Sequence, residues 1–202
     1  FEKIKEQKLK ILEIGIADGK SLLTWSDYFV NSLIIGIDIH KINLQEKKLN
    51  KKNIEIHQGS QNDKSFINQI ISKYHDFDVI IDDGSHISKD VKQSFELLFP
   101  SLKDNGLYII EDVQTSYNHF FGGNPFDLKY SNSHMNFFKN LTDSLNYQEI
   151  ANPFYLKKKY DSKITNISFY HNMVFIRKGN NNKASKEVLN HSYEDMKYLE
   201  KS

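Results

Sequence analysis

The chain has no cysteine among its 202 residues, which removes thiolate metal ligands, cysteine nucleophiles and disulfides, and with them any sign of an oxidising compartment. No apolar run approaches the ~18–20 residues that a membrane helix needs, and no stretch resembles a signal peptide, so a cytoplasmic location is the expectation. Phe1 is no initiator residue, and native residues before it are expected. Net charge is scarce as well. The 27 Lys and Arg against 26 Asp and Glu leave +1 at pH 7, too little for a protein built mainly to hold nucleic acid. The one compact basic run, Lys157-Lys158-Lys159, lacks an aromatic or glycine pattern around it and reads as a solvated loop. Internal repeats are also missing.

What the chain does have is 39% hydrophobic and 13% aromatic residues, enough to exclude disorder and to bury one domain core. Lys10-Ile11-Leu12-Glu13-Ile14-Gly15 reads as a strand running into Ile16-Ala17-Asp18-Gly19, after which Leu22, Trp25 and Phe29 recur at helical spacing. In this strand, turn and helix, Gly15 and Gly19 either admit a ligand to the helix N-terminus or serve helix-strand packing. Their Gly-x-x-x-Gly spacing is not the Gly-x-Gly-x-x-Gly that suits a pyrophosphate. The next strand, Leu33 to Asp38, ends in an acid about twenty residues after the glycine turn, where α/β nucleotide sites place a carboxylate on the ribose hydroxyls. An incidental strand-end charge is the alternative, and His40 and Lys41 read as exposed loop. A third strand, Ile54 to His57, leads to Gly59-Ser60-Gln61-Asn62-Asp63, whose amide and carboxylate groups could read an adenine edge. Asp63 also reads as the N-cap of a helix with Phe66, Ile67, Ile70 and Ile71 on its apolar face.

Phe77-Asp78-Val79-Ile80-Ile81 is a short β-branched run of the kind buried on both faces of a sheet, and it ends in Asp82-Asp83-Gly84-Ser85-His86. Two carboxylates, a glycine for a sharp turn, and an imidazole three residues past the second carboxylate offer a cation ligand and a proton acceptor side by side. Asp-Gly is also a common turn pair, with Ser88 as a helix N-cap. Val91, Phe95 and Leu98 form one helix face, which Pro100 closes. Asn105-Gly106 then turns the chain into Leu107-Tyr108-Ile109-Ile110-Glu111-Asp112, a second apolar strand ending in paired carboxylates. Neighbouring parallel strands finish on one edge, so Asp83, Glu111 and Asp112 gather there and repel one another unless a cation is present.

From Val113 to about Met135 periodicity fails, and Tyr117 to Phe126 is rich in aromatics and turn formers. The aromatic density of so long a loop argues for a substrate wall or lid. His119 and His134, within it, read as contacting solvent or a neighbour rather than a metal. A helix is expected around Asn136 to Leu145. Lys163 to Phe169 and Met173 to Arg177 then flank His171-Asn172 as an antiparallel hairpin at the sheet edge. From Gly179 the chain is polar and expected to be mobile, with a weak helical pattern from Val188 to Leu199. The outcome is one α/β domain over residues 1–179, with 113–135 inserted as a substrate loop, followed by a polar tail over 180–202.

The order of elements, the Glu13-x-Gly15-x-x-x-Gly19 turn, Asp38 and the closing hairpin together resemble the class I S-adenosylmethionine-dependent methyltransferases. Asp82-Asp83-Gly84-Ser85-His86 and Ile110-Glu111-Asp112-Val113-Gln114-Thr115-Ser116-Tyr117, followed by Phe121-Gly122-Gly123, narrow the likeness to the metal-dependent sugar O-methyltransferases that act on macrolide deoxysugars and rhamnosyl groups. It covers approximately Leu12 to Lys178. The resemblance implies a Rossmann-like, doubly wound, mostly parallel seven-stranded sheet with a terminal antiparallel hairpin. It implies a divalent metal, Mg2+ above all, on Asp83, Glu111 and Asp112, with His86 as general base. It implies S-adenosylmethionine beside Gly15 and Gly19, with Asp38 on the ribose, Gln61 and Asp63 near the adenine, and Glu13 and Asp82 in the same cofactor set. Tyr117 and Phe121 would meet the acceptor. Ser60 stands where such enzymes often carry an acid.

The expected activity is methylation of a sugar hydroxyl, on a capsule, lipopolysaccharide, nucleotide-linked or natural-product glycoside; the wealth of Lys, Asn and Ile suggests an AT-rich bacterial genome and favours the first three. The expected partner is that small-molecule acceptor, with no nucleic acid and no membrane span, and a homo-oligomer left open. An NAD-dependent oxidoreductase or epimerase is disfavoured because the dinucleotide fingerprint and a Tyr-x-x-x-Lys pair are missing. A non-catalytic nucleotide-binding module is disfavoured by the intact His86 and acid set.

Overall fold

The computed structural model describes residues 1–42 and 49–184; the helical pattern from Val188 to Leu199 lies outside the described residues. Seven strands form one sheet: β1 (Lys10–Ile14), β2 (Leu33–Asp38), β3 (Ile54–Gln58), β4 (Phe77–Asp82), β5 (Leu102–Ile110), β6 (Ile164–Tyr170) and β7 (Met173–Lys178). Their order is β3-β2-β1-β4-β5-β7-β6. The first five pair in parallel, and β7 pairs antiparallel with both β5 and β6. Helices α1 (Lys20–Tyr28), α2 (Lys64–Tyr74) and α3 (Ser88–Leu98) supply the crossovers, and α4 (His134–Asn140) and α5 (Thr142–Leu145) follow the acidic end of β5. The expected fold class and the terminal hairpin are both present.

The central strands are β-branched because both faces of the sheet are covered. On one face Phe95 of α3 lies against Tyr108 of β5, Phe138 of α4, Phe99 and Tyr160, with ring centroids 4.8–5.4 Å apart. Each such fully buried ring contributes roughly 1.5–3 kcal/mol, and this cluster anchors the helices behind the loop from Val113. On the other face Leu22 and Phe29 pack with Ile34, Val79, Ile81 and Ile109. β1 pairs with β2 on one side and β4 on the other, so successive crossovers diverge at β1 and leave a crevice at the carboxyl ends.

Three expectations are corrected. Ser88 does not cap α3: Ile87 occupies the N-cap position without a capping side chain, because the Ser88 hydroxyl is committed to His134 Nδ1 at 3.0 Å. Asn105-Gly106 does not precede β5 but lies inside it, where pairing with β4 slips from Phe77↔Leu102 to Val79↔Leu107 and Asn105 takes φ +67°. The single helix expected over Asn136 to Leu145 is two short ones, α4 and α5, breaking at Leu141. The aperiodic stretch itself holds two 3-10 turns, Val113–Tyr117 and His119–Phe121, before Ser133 caps α4.

Candidate active site

Strand β4 delivers Asp82 and Asp83 to the carboxyl edge, and the chain must then turn sharply beside the end of β1. Gly15 makes that approach feasible. It adopts φ +78°, and a Cβ there would lie 2.3 Å from the Asp83 carbonyl oxygen, so no side chain fits. Gln61 holds the turn from the other side: its Nε2 donates to Asp82 Oδ1 (3.2 Å) and Ser94 Oγ (3.0 Å), and its Oε1 accepts from the Ser85 N–H. The Gln61 amide is therefore engaged by the protein even where it borders the crevice. Asp82 is fully enclosed, and burial pushes its carboxyl up to about 7 against the opposing hydrogen bonds from Gln61, Gly84 and Tyr108.

His86 completes the turn with φ +56°, a conformation costing a non-glycine residue of order 1–3 kcal/mol. Three contacts offset that cost. Thr115 Oγ1 shares its hydrogen between the Asp112 carbonyl (2.8 Å) and the His86 carbonyl (3.3 Å), and Ser85 Oγ accepts from the Ile87 N–H (3.2 Å) while donating to Asp90 Oδ2 (2.9 Å). Past the end of β5, Asp112 is also left-handed at φ +52°, and the hairpin tip supports this exit through the Val113 N–H to Asn172 carbonyl bond.

The two strained residues turn toward each other. One donor atom from each of Asp83, His86 and Asp112 lies within 4.8 Å of the other two, with His86 Nε2 3.7 Å from Asp112 Oδ2. Burial and then the Asp112 charge push Asp83 up to about 6. Glu111 lies outside this tight group, yet burial and the charges of Asp83 and Asp112 raise its carboxyl too. Two carboxylates and an imidazole are a donor set suited to a hard or borderline divalent cation. Phe121 places its ring edge-on to His86, centroids 6.5 Å apart, while Tyr117 is exposed nearby in sequence.

Beside the cluster runs a crevice of about 470 Å³, bordered by Gly15, Ala17, Asp38, Gln61, Asp83 and His86 among others. Asp38 Oδ2 accepts from the Ile16 and Ala17 N–H groups (3.0 Å each) and Oδ1 from His40 N–H (2.8 Å), so the acid braces the glycine turn. Gly19 faces Leu49 rather than the crevice. Asp63 caps α2 through Ser65 and Phe66 N–H and is exposed. Glu13 is buried beneath the turn, next to Ser21 and Trp25. A larger cavity of about 830 Å³ opens at the opposite, amino-terminal end of the strands, between Leu9, Val79, Gly106 and Phe175, away from the acid cluster.

A family model described as a methyltransferase domain matches residues 12–113, from β1 through the acidic end of β5. This chain belongs to that methyltransferase family. The mycinamicin VI 2''-O-methyltransferase of Micromonospora griseorubida is 35% identical over 192 residues, covering 91% of this chain and 47% of that protein. The demethylmacrocin O-methyltransferase of Streptomyces fradiae is also 35% identical, over 91% of this chain and 48% of its own length. A solved structure of the MycE methyltransferase from the mycinamycin biosynthetic pathway, in complex with Mg, SAH and mycinamycin VI, superposes with a TM-score of 0.86 at 32% identity, covering 99% of this chain and 52% of that one. The chain thus spans about half the length of the curated relatives it matches.

Two residues of this methyltransferase domain that border the crevice, Ala17 and Ile39, escaped the sequence reading. Ala17 sits at φ +44° where glycine would be the expected choice. Ile39, 61% exposed, borders the crevice directly after Asp38; an apolar side chain exposed beside a strand-end acid was the available signal. His134, read from sequence as contacting solvent or a neighbour rather than a metal, lies away from the crevice lining and is fully buried against Ser88.

Glu13 yields a stability prediction. Burial, reinforced by the charges of Asp83 and Glu111, pushes its carboxyl from 4.5 up to about 7, against the opposing pull of the neighbouring Ser21 and Trp25 polar groups. In the unfolded chain the group ionises near 4.5, so between there and 7 the folded state binds more protons and stability falls as pH rises. The loss, complete above about pH 7, is on the order of 3 kcal/mol. Urea unfolding of Glu13→Gln at pH 5 and pH 8 should show a flatter pH dependence than the wild type; an identical slope rejects the assignment.

Proposed function

We propose that this chain is the core of an S-adenosylmethionine- and divalent-cation-dependent O-methyltransferase acting on a sugar hydroxyl. The observation that carries the reading is the convergence of Asp83, His86 and Asp112 on one point beside the crevice. Bound S-adenosylmethionine supplies an electrophilic methyl group, and a bound Mg2+ or similar cation a Lewis acid for sugar hydroxyls. Asp83 and Asp112 hold the cation, and Glu111, whose charge already acts on both, is the third acidic donor. Their oxygen donors fit such an ion, and the elevated carboxyls of Asp83 and Glu111 show what its charge would relieve.

His86 Nε2 takes the hydroxyl proton as the oxygen-carbon bond forms and the carbon-sulfur bond breaks. At 3.7 Å from Asp112 Oδ2 it is beyond hydrogen-bonding reach, which leaves its lone pair free. The Asp112 charge then stabilises the imidazolium. Gly15 and Asp38 border the cofactor, with Gln61 beside it and the buried Glu13 and Asp82 beneath. Gly19, packed on Leu49, and Asp63, the cap of α2, act only by fixing the backbone around the site. Tyr117 and Phe121 form an acceptor wall, since aromatic faces stack on sugar rings. No helix among the described residues is long and apolar enough to cross a membrane; we place the enzyme in the cytoplasm, acting on a small glycoside and not on nucleic acid.

Mass spectrometry of sugar nucleotides and glycans incubated with enzyme, S-adenosylmethionine and magnesium tests the function. Transfer of one methyl group to a hydroxyl supports it, and cofactor binding without transfer to any of them refutes it. A companion measurement concerns Asp38. Because its carboxylate receives three backbone N–H groups and borders the crevice, Asp38→Ala should weaken S-adenosylmethionine binding at least about tenfold, the equivalent of roughly 1.5–3 kcal/mol of charge-assisted hydrogen bonding. Unchanged affinity by calorimetry removes Asp38 from the cofactor site.

A further inference from the structure

His134 is wholly buried, and its Nδ1 lies 3.0 Å from Ser88 Oγ, a partner 46 positions away. Its Nε2 meets no protein partner among the described residues, so Ser88 is the ring's one polar tie. Burial, with the nearby charges of His86 and Lys92, pushes the imidazole down to about 4, and the ring is neutral at working pH. The bond joins two functional segments. His134 opens α4 at the exit of the 113–135 loop, and this exit is fastened to the loop's own base: the Met135 N–H donates to Ser116 Oγ (3.0 Å), and the Asn124 N–H donates to the Ser116 carbonyl (3.2 Å). Ser88 opens α3, two residues beyond His86, whose left-handed backbone persists only while its neighbours hold it. Leaving Ser88 to cap its own helix would have been the ordinary arrangement; here the hydroxyl points across to the loop.

We propose that the Ser88–His134 hydrogen bond is a latch through which the 113–135 loop positions His86, so that engagement of an acceptor by the loop is transmitted to the base. His134 is then a positioning residue that acts through Ser88 and touches neither substrate nor cofactor. The inference rests on the assignment of His86 as the base.

The test uses the full chain with Ser88→Ala, His134→Phe and His134→Asn, whose amide stands where Nδ1 does and can still meet Ser88. Loss of the latch should lower kcat about ten- to hundredfold, as misplacement of a reacting group does, with cofactor affinity within about twofold of wild type. Ser88→Ala combined with His134→Phe should cost no more than either alone, because both break one bond. His134→Asn should recover most of the rate. Independently of activity, hydrogen exchange in Ser88→Ala should quicken both in peptides covering 85–91 and in those covering 133–137. A merely structural histidine would lower the melting temperature without this rescue or this paired exchange. Ser88→Ala turning over at the wild-type rate, additive losses in the double variant, or exchange quickening only around Ser88 overturns the latch. Should the wild type transfer no methyl group at all, the proposed activity fails, while the exchange experiment still decides the coupling.

Discussion

Chelation of divalent cations is expected to abolish methyl transfer and to leave most of the cofactor affinity in place, with magnesium restoring the rate. The basis is the acid set at the ends of β4 and β5. Asp83 is pushed up to about 6, first by burial and then by Asp112, and Glu111 is raised by burial and by both aspartates. Among the described residues no lysine or arginine is ion-paired with any of the three, so their mutual repulsion stands uncompensated until a cation enters. Binding the cation requires these carboxyls to be ionised, so its affinity falls as pH drops through the Asp83 value of about 6. A readout besides turnover follows from linkage: at about 100 times its Kd the cation should stabilise the fold by roughly 2.7 kcal/mol. Asp83→Asn should remove both the activity and that stabilisation. Full-rate transfer by the chelated enzyme would mean that the acids are structural charges.

The sheet was legible from sequence because its central strands are buried on both faces, and double burial writes itself as uninterrupted runs such as Val79-Ile80-Ile81 and Tyr108-Ile109-Ile110. Strand ends were legible too, since the first acids after each run, Asp38, Asp82 and Glu111, mark where the apolar sequence stops, even though Asp38 and Asp82 are themselves buried. What sequence could not show was which partner each polar group would take. Gln61 carries the right group to read a base edge, but a backbone N–H 24 positions on claims its oxygen. Ser88 stands where a cap belongs, and a histidine 46 positions on claims its hydroxyl. Gly19 has the spacing of a ligand-approach glycine and meets Leu49. Each of these is a tertiary choice between a local and a distant partner, and local pattern carries no information about the distant one. The grouping of His86 with Asp83 and Asp112 had a further obstacle: it depends on left-handed backbone at two non-glycine residues, which residue type does not announce.

Replacing His86 with alanine is expected to lower kcat by about 10²–10⁴-fold, the usual contribution of a positioned general base. A sugar hydroxyl is a poor nucleophile at neutral pH, and the positive sulfonium donor does nothing to remove its proton. An imidazole is the side chain most often used to accept such a proton. The protein keeps His86 in a costly backbone conformation, held by Thr115 through its carbonyl and by Ser85 through the following amide, which is the kind of strain that accompanies a functional position. Because His86 also stands within 4.8 Å of the Asp83 and Asp112 oxygens, the same geometry admits it as a cation ligand. Base and ligand make opposite predictions for one further measurement. If His86 is the base, magnesium titration of His86→Ala gives a near wild-type affinity and calorimetry gives unchanged cofactor binding, so the whole loss falls on turnover. A parallel loss of at least about tenfold in magnesium affinity would assign the ring to the cation and require the proton to leave by another route.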